Sequence, residues 1–439
     1  MSAIFGTFRS LRIFNYRLWT AGALVSNIGT WMQRTAQDWL VLTQLTHHNA
    51  TAVGIVMALQ FGPQLLFLPW TGFVADHVDQ RKLLLATQAG MGALALMLGL
   101  LTVLNVVTLW EVYVFAFVFG CVSAFDAPVR QVFVTQMVEE GDLPNAVGLN
   151  STSFNAGRMI GPAAAGLTIA AMGTGWAFIF NGVSFLAVLL SLTFLRLHEL
   201  HLHERAVRKA GSLVEGFRYV WNRPDLRAAC IMLFFIGTFG FNAAIFISTM
   251  AVRVFHANAG GYGVLSSAMA IGTVTGSLFA AGREKTTFVH FCAGAAVFAI
   301  GAMLAALAPT YWLFAAALIV LGIAALTFAN SSNSLMQLAT EPAMRGRVMA
   351  IRLGIAIGGT PFGAPIVGWV ADRFGPRWSL AVGASSGFLA AGVGLVYLVR
   401  YRHLRIHLER GRLRVTMEAR GGRVVPTPPL VPPPGESTP

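Results

Sequence analysis

Apolar residues in this chain come in long runs separated by short polar breaks. About 20 helical residues cross the hydrocarbon of a bilayer. Runs of that order lie at 18–45, 51–75, 83–104, 110–137, 145–172 and 176–196. After a polar stretch they resume at 226–254, 261–282, 287–308, 311–338, 346–371 and 378–400. The pattern predicts an all-α membrane protein with twelve transmembrane helices in two six-helix halves. The halves are 1–196 and 226–400, joined by a polar linker at 197–225. A tail at 401–439 begins basic and ends Pro-rich, which predicts disorder.

Composition supports the same class. The chain is 56% hydrophobic and only 11% charged, too little charge to cover a soluble protein of 439 residues. A net charge of +13 invites a nucleic-acid reading, but the basic residues are spread over loops and tail instead of one soluble domain. Their placement orients the chain, because Arg and Lys accumulate on the cytoplasmic side. With the N-terminus inside, the inner segments hold Arg9, Arg12, Arg17, Arg81, Lys82, Arg283, Lys285, Arg345, Arg347 and Arg352, with the linker's arginines and Lys209 and the tail arginines. The outer loops hold only Arg253, Arg373 and Arg377. Both termini are therefore expected in the cytoplasm, and the protein in the plasma (inner) membrane. The N-terminal stretch lacks the short apolar region and small-residue cleavage site of a secretory signal.

Chemistry-bearing clusters are sparse. Cys121, Cys230 and Cys292 sit singly in apolar runs, at neither metal nor disulfide spacing. His198, His201 and His203 of the linker do not stack on one helical face, so a solvated surface helix is expected there. No HExxH, GxSxG or Walker pattern occurs. Neither catalytic residues, metal nor cofactor is expected, and the reading is not that of an enzyme.

Internal repeats are visible. A shift of 202 aligns Gly120 with Gly322, Gly161 with Gly363 and Gly166 with Gly368. Within the first half a shift of 92 places "VLTQL" (41–45) on "FVTQM" (133–137), and those spans run in opposite directions. Nested inverted repeats are a mark of secondary transporters.

The loop "GFVADHVDQRK" (72–82), the six-plus-six pattern and the polar linker resemble the major facilitator superfamily over nearly the whole chain. The family loop is matched at Gly72, Ala75, Asp76 and Lys82; His77, Asp79 and Gln80 depart from it. The fifth span, "GLNSTSFNAGRMIGPAAAG", resembles the antiporter signature of proton-coupled drug exporters through Gly148, Gly157, Gly161, Pro162 and Gly166. Small residues at four-residue spacing let helices touch, and Pro162 bends the helix. "AFDAPVRQ" with that span resembles a narrower branch, the siderophore and drug exporters typified by the enterobactin exporter. The resemblance implies proton-coupled efflux of a small molecule by a protein that needs only the proton gradient and the lipid bilayer, and a monomer is expected. An importer or a lipid transporter of the same fold remains an alternative.

Five charges fall inside spans of the first half: Arg34, Asp38, Asp126, Arg130 and Arg158. Such residues are costly in lipid and face a cavity or a partner. The 92-residue shift maps Arg34 onto Asp126 and Asp38 onto Arg130, with the signs exchanged. Depth along the helices predicts that Asp126 meets Arg34 or Arg158 across helices and that Asp38 is the freer carboxylate. Both are candidate proton carriers. Three arginines against two aspartates suit an anionic or amphipathic substrate. The second half has no charge inside its spans and offers Asn330 and Asn333. A near copy of the first loop, "GWVADRFGPRW" (368–378), faces outward after the eleventh span. Gating roles are therefore expected for Gly72, Asp76, Arg81 and Lys82 on one side and for Asp372, Arg373 and Arg377 on the other.

Overall fold

The computed structural model describes residues 8–201, 213–281, 287–402, 404–409 and 412–417. The first half holds α1 (Phe14–Trp39, continued by a π-helical stretch Leu40–Leu45), α2 (Ala50–Leu66), α3 (Leu68–His77), α4 (Gln80–Val103), α5 (Leu109–Gln136), α6 (Leu143–Met172) and α7 (Thr174–Thr193). A linker helix α8 (Leu213–Asn222) leads to α9 (Pro224–Phe235), α10 (Ala243–Thr249), α11 (Ala259–Ala281), α12 (Phe288–Leu307), α13 (Tyr311–Ala339), α14 (Pro342–Gly358), α15 (Thr360–Phe374) and α16 (Pro376–Arg402). In the basic part of the tail, β1 (Leu404–Glu409) and β2 (Arg412–Met417) pair as antiparallel strands.

Helix starts follow local chemistry. Asn49 and Asp79 accept the backbone N–H of Ala52 and Lys82, and Thr108 with Glu111 forms a capping box. Proline opens α6, α9, α14, α15 and α16 within two residues of the start, where its missing N–H costs nothing. Nine of the described segments are long and apolar enough to cross a membrane, and α2 is a shorter apolar helix. α1 and α6 have the length, with 26 and 30 residues. Their hydropathy is diluted by Gln33, Arg34, Gln37 and Asp38 in α1, and by Asn150, Asn155 and Arg158 in α6. These two polar helices build the site described below.

Each half packs around its own helices. α1 lies between α6 and α7, and α2 lies on α5; in the second half α11 lies on α13 and α12 between α13 and α16. The halves meet along two seams, α2 with α15 and α6 with α11. The 202-residue repeat is visible in these contacts. A Cβ on Gly120 would reach the Gln60 carbonyl oxygen of α2 at 2.6 Å, and one on Gly322 the Met269 oxygen of α11 at 2.3 Å. Gly161 meets α1 at Trp31 and Gly363 meets Thr238 after α9. Gly166 meets Ala259 across the α6–α11 seam, and Gly368 meets Ala50 across the α2–α15 seam. A fourth pair follows the same shift: Gly173 and Gly375 end α6 and α15 with φ of 95° and 106°, a backbone region that favours glycine.

The linker helix belongs physically to the second half. Glu215 pairs with Arg347 of α14 at 2.9 Å, Val220 is buried, and Arg223 donates to the Ala339 carbonyl at the end of α13. Asp225 holds the Arg223 guanidinium pKa above its ordinary value through a hydrogen bond. Val214, Phe217 and Trp221 stand exposed at three- and four-residue spacing, an apolar stripe suited to a membrane interface. His203 lies outside the described residues.

Candidate functional site

Between the halves lies a cavity of about 390 Å³. From the first half it is lined by Trp31, Arg34, Thr35 and Asp38 of α1, Met57, Gln60 and Phe61 of α2, and Phe154, Arg158 and Pro162 of α6. The second half contributes Phe241, Ala243, Ala244 and Ile247, then Tyr262, Ser266, Met269 and Ala270 of α11, and Thr360 of α15. All charge is on the first-half wall. The other wall is apolar and weakly polar.

Arg34 and Arg158 flank one aromatic ring. Their guanidinium carbons lie 5.0 Å and 5.4 Å from the Trp31 ring centre, and Arg34 is also 5.3 Å from the Phe61 ring. Each is a cation–π contact. Arg34 Nε is buried without a hydrogen-bond partner. Asp38 is buried and accepts one hydrogen bond, 3.3 Å, from the Tyr262 hydroxyl on the opposite half. Amide pairs fix α1 on either side: Asn181 of α7 donates to Gln33 at 2.6 Å, and Gln60 of α2 to Gln37 at 3.1 Å.

Asp126 and Arg130 are not among the residues lining this cavity. Asp126 does not meet Arg34 or Arg158; it pairs with Arg130 on its own helix at 3.0 Å. Thr87 and Gln88 of α4 each donate to its other oxygen at 2.7 Å. Depth alone misplaced this partner, and residue order explains why. An acid four residues before a base is the favourable arrangement on a helix, and the reverse order is weaker. Asp126–Arg130 has the favourable order and closes; Arg34–Asp38 has the reverse, and among the described residues no ion pair joins them.

Asn330 and Asn333 are half-buried on α13 and also lie outside the cavity lining. The second half does carry a charge within a span. Arg352 of α14 is half-buried and donates to Ala329 and Ser332 of α13 at 2.8 and 3.2 Å. Its helix runs on into the apolar Met344–Phe374 segment, where the basic residues alone suggest an inner loop.

The antiporter-type residues divide. Gly157 and Gly161 leave room for the Asn27 and Trp31 positions of α1, and Gly166 for α11. A methyl group at Gly148 would meet nothing within 4 Å, so close packing does not extend to it. Pro162 lines the cavity.

At one end of the α2–α15 seam, Asp372 reaches across the halves. It accepts from the backbone N–H of Ala50 and Thr51, both at 2.8 Å, and from the Thr51 hydroxyl at 2.6 Å. Asn49 takes the Ala52 N–H, so the opening N–H groups of α2 are capped jointly by both halves. Arg253 holds Asp372 from its own half at 3.3 Å. Arg377 caps α12 through the Ala306 and Ala308 carbonyls, and Arg373 is exposed. On the other loop, Arg81 donates to Leu192 at the end of α7 and Lys82 lies 3.9 Å from Asp79, both within the first half. Gly72 and Asp76 lie on α3, and their side-chain surroundings are outside the described residues. Removing such a cap costs about 1–2 kcal/mol. Asp372→Ala is therefore expected to lower the ratio of closed to open molecules at this end by roughly 5- to 30-fold. Distance measurements between labels on the two halves check it, and an unchanged distribution refutes the clasp.

Sequence reasoning missed Trp31, Phe61, Phe154 and Tyr262. Trp31 had a local signal, one turn before Arg34 on the same face. Tyr262 had none, because its partner lies 224 residues away.

Comparison with known proteins places the chain among transporters. A family described as transmembrane secretion effector matches residues 5–418. The staphyloferrin A transporter of Staphylococcus aureus (strain NCTC 8325 / PS 47) is 27% identical over 257 residues, covering 57% of this chain and 63% of that one. The chain thus spans less than two thirds of that relative's length. The multidrug efflux pump Tap of Mycolicibacterium fortuitum is 26% identical over 403 residues, 87% of this chain and 95% of that one. The enterobactin exporter EntS of Escherichia coli (strain K12) is 23% identical over 382 residues, 83% and 88% of the two chains. Among solved structures, the nucleoside transporter NupG superposes with a TM-score of 0.71 at 12% identity, over 87% of this chain and 99% of that one. A bacterial homologue of the human lysosomal transporter Spinster, inward-facing and occupied, gives 0.68 at 14% identity, over 88% and 96%.

Proposed function

The chain belongs to the transmembrane secretion effector family of major facilitator transporters, and from that premise we propose that it is a proton-driven exporter of small organic anions. Twelve spans with both termini cytoplasmic put it in the inner membrane, with the Asp372 clasp on the outer face. The cavity then opens alternately to either side as the two halves rock about it.

The observation that carries this reading is the cavity's divided lining. Two guanidinium groups lie over one indole, and both arginines line the cavity. An anion in the cavity gains charge-assisted hydrogen bonds from them. The aromatic side chains and the apolar wall suit the carbon body of an amphipathic molecule. Siderophores fit this description, and relatives of this chain are named as a siderophore transporter and siderophore exporters. Asp38 is the carboxylate that faces the same cavity and serves as the proton carrier. Asp126, held by three side chains, serves as scaffold. No cofactor is needed beyond the gradient.

Transport by the purified protein in vesicles under an imposed pH gradient tests this. A carboxylate siderophore, a catecholate siderophore and a cationic dye are the probes. Flux of an anionic probe against the proton gradient is expected, and Arg34→Ala with Arg158→Ala together should lower it at least roughly 10-fold, since a lost charged hydrogen bond is worth about 1.5–3 kcal/mol. Gradient-independent flux, or full flux in the double variant, refutes the reading. Flux in the opposite direction identifies an importer.

A further inference from the structure

We propose that Tyr262 is a positioning residue that passes the charge state of Asp38 to the second half. This rests on the proton-carrier reading of Asp38 given above.

Tyr262 is 2% exposed and lies in the first turn of α11, held there by the bond from its N–H to the Asn258 carbonyl, 3.0 Å. Its ring stacks on Trp39 of α1 at 5.9 Å with the planes 20° apart. Its hydroxyl is the hydrogen-bond donor to Asp38. One contact therefore joins the helix that carries the carboxylate to a helix of the other half. Asp38 sees few other charges. Its own helix brings Arg34 and α6 brings Arg158, while α2 and α10 bring Gln60, Ala243, Ala244 and Ile247 to the cavity.

A phenol donating to a carboxylate makes a bond about twice as strong as one between neutral groups. With Asp38 ionised, the bond holds α1 against α11. With Asp38 protonated, the same geometry is worth less, and separation of the halves here becomes easier. A ligand shifts a two-state equilibrium only by its differential affinity for the states. Tyr262 supplies that difference for the proton, because the bond exists only while the halves are together.

The test uses the full-length protein in lipid nanodiscs. Spin labels are placed at Trp176→Cys and Trp312→Cys, exposed positions opening α7 and α13, with Cys121, Cys230 and Cys292 replaced by serine. In the parent protein the long-distance population is expected to grow about 5-fold or more between pH 8 and pH 5. Tyr262→Phe keeps the ring stack but loses the donor, and should show the same distances at both values. Asp38→Asn, which is never charged, should be equally insensitive. A pH response in Tyr262→Phe equal to the parent's overturns the role of Tyr262 while leaving proton coupling in place. A parent with no pH response overturns both.

Discussion

Gly54→Val is expected to stop transport while leaving a folded protein. A Cβ at position 54 would lie 2.5 Å from the Ala364 carbonyl oxygen and 2.9 Å from Pro365 Cα, all backbone of the opposing α15. Backbone cannot swing aside as a side-chain tip can, so the α2–α15 seam must part. Ala50 and Thr51, one turn away, then lose Asp372 as well. Overpacking costs about 1–3 kcal/mol, and that range corresponds to a roughly 5- to 150-fold shift against the closed state. Each half should still fold, since α2 packs within its own half through the Gln60 carbonyl against Gly120. Gly62→Val is the control, because position 62 on the same helix has nothing within 4 Å. Vesicle flux and detergent-solution melting separate the two variants. Parent-level flux in Gly54→Val would show that the seam does not need to close.

Asp126→Ala is expected to destabilise the first half more than any other single change discussed above. The carboxylate joins α5 to α4 through Thr87 and Gln88 and neutralises Arg130, whose side chain is 17% exposed and lies 5.7 Å from the Trp19 ring. Removing one partner of a buried pair leaves the other charge uncompensated, at about 3–5 kcal/mol. The melting point of the purified protein should fall sharply and expression with it. The double variant Asp126→Ala with Arg130→Ala should recover part of the loss, since the stranded charge is gone. A single variant as stable as the parent would remove Asp126 from the scaffold and return it to the candidates for proton transfer. The contrast with Asp38, which holds one hydrogen bond and faces the cavity, is what separates the roles proposed for them.

Much of the architecture was legible because lipid imposes a simple code. The expected spans fall on helix with ends displaced by only a few residues, three of them broken at Phe67, Phe241–Asn242 and Gly359, and nine segments among the described residues are long and apolar enough to cross a membrane. The glycine repeat was legible too, since a backbone contact demands the same residue type in both halves. The site was legible in part. Arg34, Asp38 and Arg158 were found because a charge within an apolar run stands out. Asp126 stood out equally, yet its partner depends on residue order along the helix and on α4, and depth along the span contains neither. Arg352 was hidden by its closeness to a basic loop. Tyr262 and the aromatic lining look like ordinary membrane residues until the two halves are brought together.

The glycine seams carry a consequence for motion. Where Gly54 and Gly368 meet Ala364 and Ala50, and Gly166 meets Gly263, main chain rests on main chain. At these points there is almost no rotamer freedom to freeze or release. Parting such contacts would release little side-chain entropy, so the polar contacts between the halves, Asp372 with Ala50 and Thr51 and Tyr262 with Asp38, weigh the more in any balance between them.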